Sequence, residues 1–111
     1  MVDPTSKVSQ EVLDIVRRYG LELTRAGIEV EDLFIFGSHS KGTTHTGSDI
    51  DVAVVSSNFG HDSHDERVRL MRLRRKVSTL IEPHPFHPDE FNNRWSTLAQ
   101  EVKKYGVRPK G

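Results

Sequence analysis

Apolar residues recur at Val8, Val12, Ile15, Tyr19, Leu23 and Ala26, a spacing that places them on one stripe of an α-helix with Gly27 as its stop. Gly20 falls inside that stripe. An interior Gly costs about 1 kcal/mol against Ala, so the helix is expected to break near Gly20 and resume. The next apolar run, Leu33-Phe34-Ile35-Phe36, is short, aromatic and β-branched, and it stops at Gly37-Ser38; it reads as a buried strand. His39 to Ser48 is rich in Gly, Ser and Thr and reads as loop. A second strand is expected from Asp49 to Val55, with Ile50, Val52 and Val54 on one face and Asp49, Asp51, Ala53 and Val55 on the other.

Ser56 to Ser63 is a polar connection. Ser63 followed three residues later by Glu66 has the form of a capping box, opening a helix whose stripe is Leu70, Leu73 and Val77. Arg67, Arg69, Arg72, Arg74, Arg75 and Lys76 occupy much of the remainder. Thr79 to Glu82 is expected to be a third strand, ended by Pro83 and Pro85 because Pro cannot donate to a sheet ladder. A last helix is signalled by Pro88, Asp89 and Glu90 at its start and by Lys103, Lys104 and Gly106 at its end. Its stripe is Phe91, Trp95, Leu98 and Val102, and Phe86, Phe91 and Trp95 read as core. Val107 to Gly111 reads as a tail. Alternating helix and strand signals predict an α/β or α+β layer fold, and the absence of repeats or long linkers predicts one domain over residues 1–111.

Composition narrows the partners. With 111 residues the chain has room for one core, and 34% hydrophobic residues in ordered positions argue against disorder. Sixteen basic and sixteen acidic side chains cancel, so bulk charge points neither to nucleic acid nor to a membrane. There is no Cys, hence no disulfide framework and no thiolate metal site. The first ten residues lack the apolar core of a leader, and no apolar run reaches membrane-spanning length. Cytoplasm is the expected location.

The chemistry concentrates between Phe36 and Asp51. Asp49 and Asp51 are two apart on an expected strand, so their carboxylates project from one face. Two adjacent carboxylates stay ionised beside solvent, a basic partner or a divalent cation, and hard oxygen ligands shared with substrate phosphates are the usual Mg²⁺ arrangement. Gly37 lets backbone approach a phosphate, and the Ser38 hydroxyl can bind phosphate oxygens. Gly42 and Gly47 let the loop fold back, and Lys41 can add positive charge. A lone Asp-x-Asp is more often a solvated face. A hydrophobic strand, Gly-Ser, ten loop residues and Asp-x-Asp opening a second hydrophobic strand is a stronger pattern.

The run Gly37-Ser38, ten residues, then Asp49-Ile50-Asp51 resembles the signature of the minimal nucleotidyltransferases of the DNA polymerase β superfamily. The resemblance is specific only in the strand–loop–strand block ending at Val55. It implies a small mixed β-sheet flanked by helices, the palm-like fold of that superfamily. It also implies ATP or another NTP as substrate, with Gly37, Ser38, Lys41, Gly42 and Ser48 at the nucleotide and Asp49 and Asp51 on two Mg²⁺ ions. The family's third carboxylate falls to Glu82, a Glu where Asp is commoner, and His39 stands where Arg is frequent. The implied reaction moves a nucleoside monophosphate, AMP most simply, to a hydroxyl. A domain this small implies that a partner or a second copy completes the acceptor site. The specific version is an antitoxin of a two-protein module whose partner is a HEPN-type RNase toxin. The alternative is a partner-binding, antitoxin-like module without catalysis.

Two other features carry less. His61-x-x-His64 and His84-x-x-His87 have ligand-like spacing but fall in expected loops, so these histidines are expected to face water. The Arg-rich helix lacks interleaved aromatics that would stack on bases and reads as a solvated face or a dock for an acidic partner.

Overall fold

The computed structural model describes residues 8–37 and 49–109. The first helix, α1 (Gln10–Arg25), is capped by Ser9, whose hydroxyl accepts from Val12 N–H at 3.2 Å. It runs unbroken through Gly20, contrary to the expected break. At that turn the helix lies close to the first strand: a Cβ on Gly20 would sit 3.2 Å from Leu33 Cδ2. The missing side chain permits close packing, and burial of Val16, Tyr19 and Leu23 on either side outweighs the local propensity cost. Gly27 ends the helix with φ at +89°. Its N–H bonds to Thr24 C=O, and Ile28 N–H bonds to Leu23 C=O, a Schellman closure that tucks Ile28 into the core.

Strands β1 (Asp32–Phe36), β2 (Ile50–Val55) and β3 (Ile81–Phe86) form one mixed sheet in that order. β1 pairs antiparallel with β2, and β2 pairs parallel with β3. A parallel pair needs a crossover, supplied by α2 (Ser63–Leu73) and a 3₁₀ turn, Arg74–Lys76. The N-cap of α2 is Asp62 rather than Ser63: its carboxylate accepts from Asp65 N–H at 3.1 Å. Glu66 still reaches back, but to the backbone N–H groups of Gly60, His61 and Asp62. Three donors bound by one carboxylate outweigh a single hydroxyl cap.

β3 departs most from expectation. It begins at Ile81, after Thr79 and Leu80 in a turn, and continues through both prolines to Phe86. The carbonyls of Leu80 and Phe86 accept from Ile50 N–H and Ser56 N–H on the β2 side. Even-numbered residues therefore aim their backbone groups at β2, and Pro83 and Pro85 aim theirs outward. β3 is an edge strand, so the missing N–H groups interrupt no ladder.

The last helix is two pieces, α3 (Pro88–Phe91) and α4 (Thr97–Tyr105). His87 and Glu90 box the start of α3, and the Ser96 hydroxyl accepts from Ala99 N–H at 3.2 Å to start α4. Because Asn92 to Ser96 is not helical, the expected stripe loses register. Phe91 and Val102 are buried, Leu98 is exposed, and Trp95 is 80% exposed, with the Arg94 guanidinium over its ring. Trp95 is thus not core, whereas Phe86 and Phe91 are. Val107 is no tail either: it bridges antiparallel to Ile35, and Arg108 makes a two-pronged ion pair with Asp32 at 2.8 and 2.9 Å.

The sheet separates two apolar layers. Ile35, Ile50, Val52, Val54 and Ile81 pack against α1 and Leu70 of α2. Phe34, Phe36, Ala53, Val55 and Phe86 pack against Phe91 of α3 and Ala99 and Val102 of α4. The face assignment of β2 made from its alternation agrees with this. No described helix is long and apolar enough to cross a membrane. The result is a small mixed sheet flanked by helices, the fold class expected.

Candidate functional site

Asp51 lies on the second of these faces, in register with Phe36 of β1 and Glu82 of β3. Its neighbours farther along that face, Ala53 and Val55, are buried. The apolar layer therefore stops where the carboxylate begins, and Asp51 stands at the rim between core and solvent.

Three strands converge on it. From β1, the chain turns at Gly37 with φ at +71°, and a Cβ there would overlap Asp51 Oδ2. From β3, Glu82 is the direct register partner, which brings a second carboxylate beside the first. His84 follows two residues later on the same face, with Nε2 3.3 Å from Asp51 Oδ1. Its ring meets Phe36 edge-on, 5.1 Å between centroids and 63° between planes. Asp51, Glu82 and His84 place one ligand atom each within 4.8 Å of one another. Their side-chain exposures differ: His84 17%, Asp51 27% and Glu82 41%. Glu82 is the solvent arm of the group and pairs loosely with Arg67 of α2 at 3.7 Å, an exposed contact of small energy.

The donor set suits a divalent cation. Two carboxylates side by side on paired strands repel each other, and an ion between them removes that cost. Two carboxylate oxygens and one imidazole nitrogen can share one ion.

Of the residues singled out by sequence, Gly37, Asp51 and Glu82 come together. Asp49 is exposed, one residue before β2, and is not part of the three-residue group. Ser38, Lys41, Gly42 and Ser48 lie outside the described residues. His84 was expected in a water-exposed loop and is instead half-buried beside Asp51. The signal that reveals it is alternation: once β3 is allowed to run through its prolines, Glu82 and His84 share a face. His61 and His64 are exposed. His87 serves α3, accepting from Asp89 N–H through Nδ1 at 3.1 Å.

Comparison with known proteins gives four findings. In one solved structure, a Sulfolobus solfataricus protein provisionally classed as a nucleotidyltransferase is similar at TM-score 0.64 and 17% identity, over 97% of this chain and 87% of that one. At that identity the likeness shows the fold. A toxin–antitoxin complex solved with AMP-PNP is similar at TM-score 0.55 and 26% identity, over 85% of this chain and 72% of that one. No curated protein matches the chain. The family model described as a nucleotidyltransferase domain matches residues 10–105, from the first residue of α1 to the last of α4, and the chain belongs to that family.

Proposed function

We propose that the chain works as one nucleotidyltransferase domain that moves a nucleoside monophosphate, AMP from ATP in the simplest case, onto a hydroxyl acceptor. One observation carries this reading: Asp51 and Glu82 are register partners at the rim of the sheet, with Gly37 shaped to the Asp51 carboxylate. In this reading Asp49, Asp51 and Glu82 hold divalent cations, Mg²⁺ by default, and Gly37, Ser38, Lys41, Gly42 and Ser48 meet the triphosphate. Two such cations supply charge neutralisation for the triphosphate and a more nucleophilic acceptor oxygen.

The acceptor oxygen bonds to the α-phosphorus as the α–β bridging P–O bond breaks, and pyrophosphate carries away the electron pair. The acceptor's proton passes to the Glu82 carboxylate or to water. Glu82 suits that task because it is more exposed than its register partner Asp51. Among the described residues β3 is an edge strand, and we take that side of the sheet as the acceptor's approach. We place that acceptor on a partner protein, a HEPN-type toxin in the most specific version, with a second copy of this chain as the other way to complete the site. The similar toxin–antitoxin complex supports a protein partner.

Mg²⁺-dependent ATP binding, measured by calorimetry on wild type and on the Asp49→Asn, Asp51→Asn double variant, tests the reading. A loss of at least about tenfold in the variant, roughly 1.4 kcal/mol, supports it. No binding by wild type, or equal binding by both, sinks it. The same complex also motivates a non-catalytic partner-binding module, for which the double variant would keep full affinity for the partner while wild type binds no nucleotide.

A further inference from the structure

We propose that His84 is a third ligand of the Asp51–Glu82 site and makes it bind first-row transition dications, with Mn²⁺ as the probe, more tightly than Mg²⁺. This rests on the reading that Asp51 and Glu82 hold a cation.

The geometry comes first. The three ligand atoms lie within 4.8 Å of one another, a span that an ion about 2.1–2.6 Å from each can bridge with small rotamer adjustments. The separation of 3.3 Å between His84 Nε2 and Asp51 Oδ1 is long for an N–H···O bond, whose usual length is about 2.9–3.0 Å. It suits two neighbouring ligands of one ion. The imidazole is also held in place. Pro83 and Pro85 flank His84 and fix φ on both sides of it, β2 pairs with its backbone through Ala53, and Phe36 confines its ring. A ring held this way loses little further freedom on binding.

The chemistry then sets the preference. Mg²⁺ is small, takes oxygen ligands in near-ideal octahedral geometry and sheds its water reluctantly. Imidazole nitrogen is a better ligand for first-row transition ions, and carboxylates serve Mn²⁺ as well as they serve Mg²⁺. Replacing one oxygen by His84 nitrogen therefore weakens the site for Mg²⁺ relative to Mn²⁺ without closing it to either ion.

The test measures cation binding rather than turnover. Mn²⁺ and Mg²⁺ are titrated by calorimetry into wild type, His84→Ala and the Asp51→Asn, Glu82→Gln double variant. Nitrogen coupling to bound Mn²⁺ is read by pulsed electron paramagnetic resonance. Wild type is expected to bind Mn²⁺ at least about tenfold more tightly than Mg²⁺ and to show an imidazole nitrogen coupled to the ion. His84→Ala is expected to lose roughly tenfold or more for Mn²⁺, to lose less than about threefold for Mg²⁺, and to lose the coupling. Equal losses for both ions would make His84 a positioning residue for Asp51 and overturn the proposal, as would absent nitrogen coupling in wild type. Should His84→Ala fail to fold, His84→Gln and the wild-type coupling decide the matter. If the carboxylate double variant binds both ions as wild type does, or wild type binds neither, the underlying site reading fails with it.

Discussion

Asp51 leaves no room for a side chain at Gly37. The carboxylate of one strand lies against the backbone of the next, where the chain turns at φ +71°. Both facts demand glycine, one through conformation and the other through space. A residue that sequence reading would give to a phosphate also positions a carboxylate.

Gly37→Ala is accordingly expected to cost about 1–3 kcal/mol of stability from the left-handed conformation and the displaced carboxylate. It should also weaken Mg²⁺-ATP binding by at least about tenfold. Urea unfolding and calorimetry measure the two effects. Unchanged nucleotide binding would mean that Asp51 need not occupy its present position.

Tyr19 joins α1 to α2. It is fully buried, and its hydroxyl donates to Leu70 C=O at 2.8 Å. Burial pushes the phenol far above its ordinary pKa, against a smaller opposing effect of Arg74, so it remains a donor across the usual pH range. Tyr19→Phe should lower unfolding free energy by about 1 kcal/mol, read as a shift in urea midpoint at constant slope.

Glu66 supplies a pH dependence. Partial burial raises its pKa, but backbone N–H donors at Gly60, His61 and Asp62, with the charge of His61, outweigh that and hold it below the ordinary carboxylate value. A depressed folded-state pKa stabilises the fold above the unfolded value, near 4.5, and the contribution is lost as pH falls through the folded one. Melting temperatures of wild type and Glu66→Gln should differ at neutral pH and converge on acidification below that value. A constant difference would mean that the Glu66 charge is not what holds the turn before α2.

Trp95 is the only tryptophan and is 80% exposed. Trp95→Ala should change unfolding free energy by less than about 0.5 kcal/mol, and wild-type emission should be that of a solvated indole. A blue-shifted emission in the isolated chain would place the ring in an apolar setting.

Much of the candidate site was legible because its signals are local. Gly37 and Asp51 flank or open hydrophobic strands, and alternation along β2 places Asp51 opposite Val52 and Val54. Glu82 stands out only through resemblance, and its strand runs farther than its prolines suggest. His84 was missed for the same cause: reading Pro83 as the end of β3 removed the residue that continues its face. Whether a proline breaks a strand depends on which edge its nitrogen faces, and that is a matter of pairing.

The chain's own pattern determined α1, β1, β2, the start of α2 within a residue, and the sorting of β2 into one face with Ile50, Val52 and Val54 and another with Asp51, Ala53 and Val55. These follow from side-chain periodicity and from glycine and capping chemistry, which act over a few residues. The tertiary structure decided what depends on neighbours distant in sequence. Close packing on Leu33 keeps α1 whole at Gly20, and the outer edge of the sheet tolerates Pro83 and Pro85. Docking of Phe91 and Val102 divides the last helix and leaves Trp95 in water, and pairing of β2 with β3 sets His84 beside Asp51. At Gly20 burial, which no local window contains, outweighs a local preference of about a kilocalorie per mole; in the other cases docking and strand pairing decide what the local pattern leaves open.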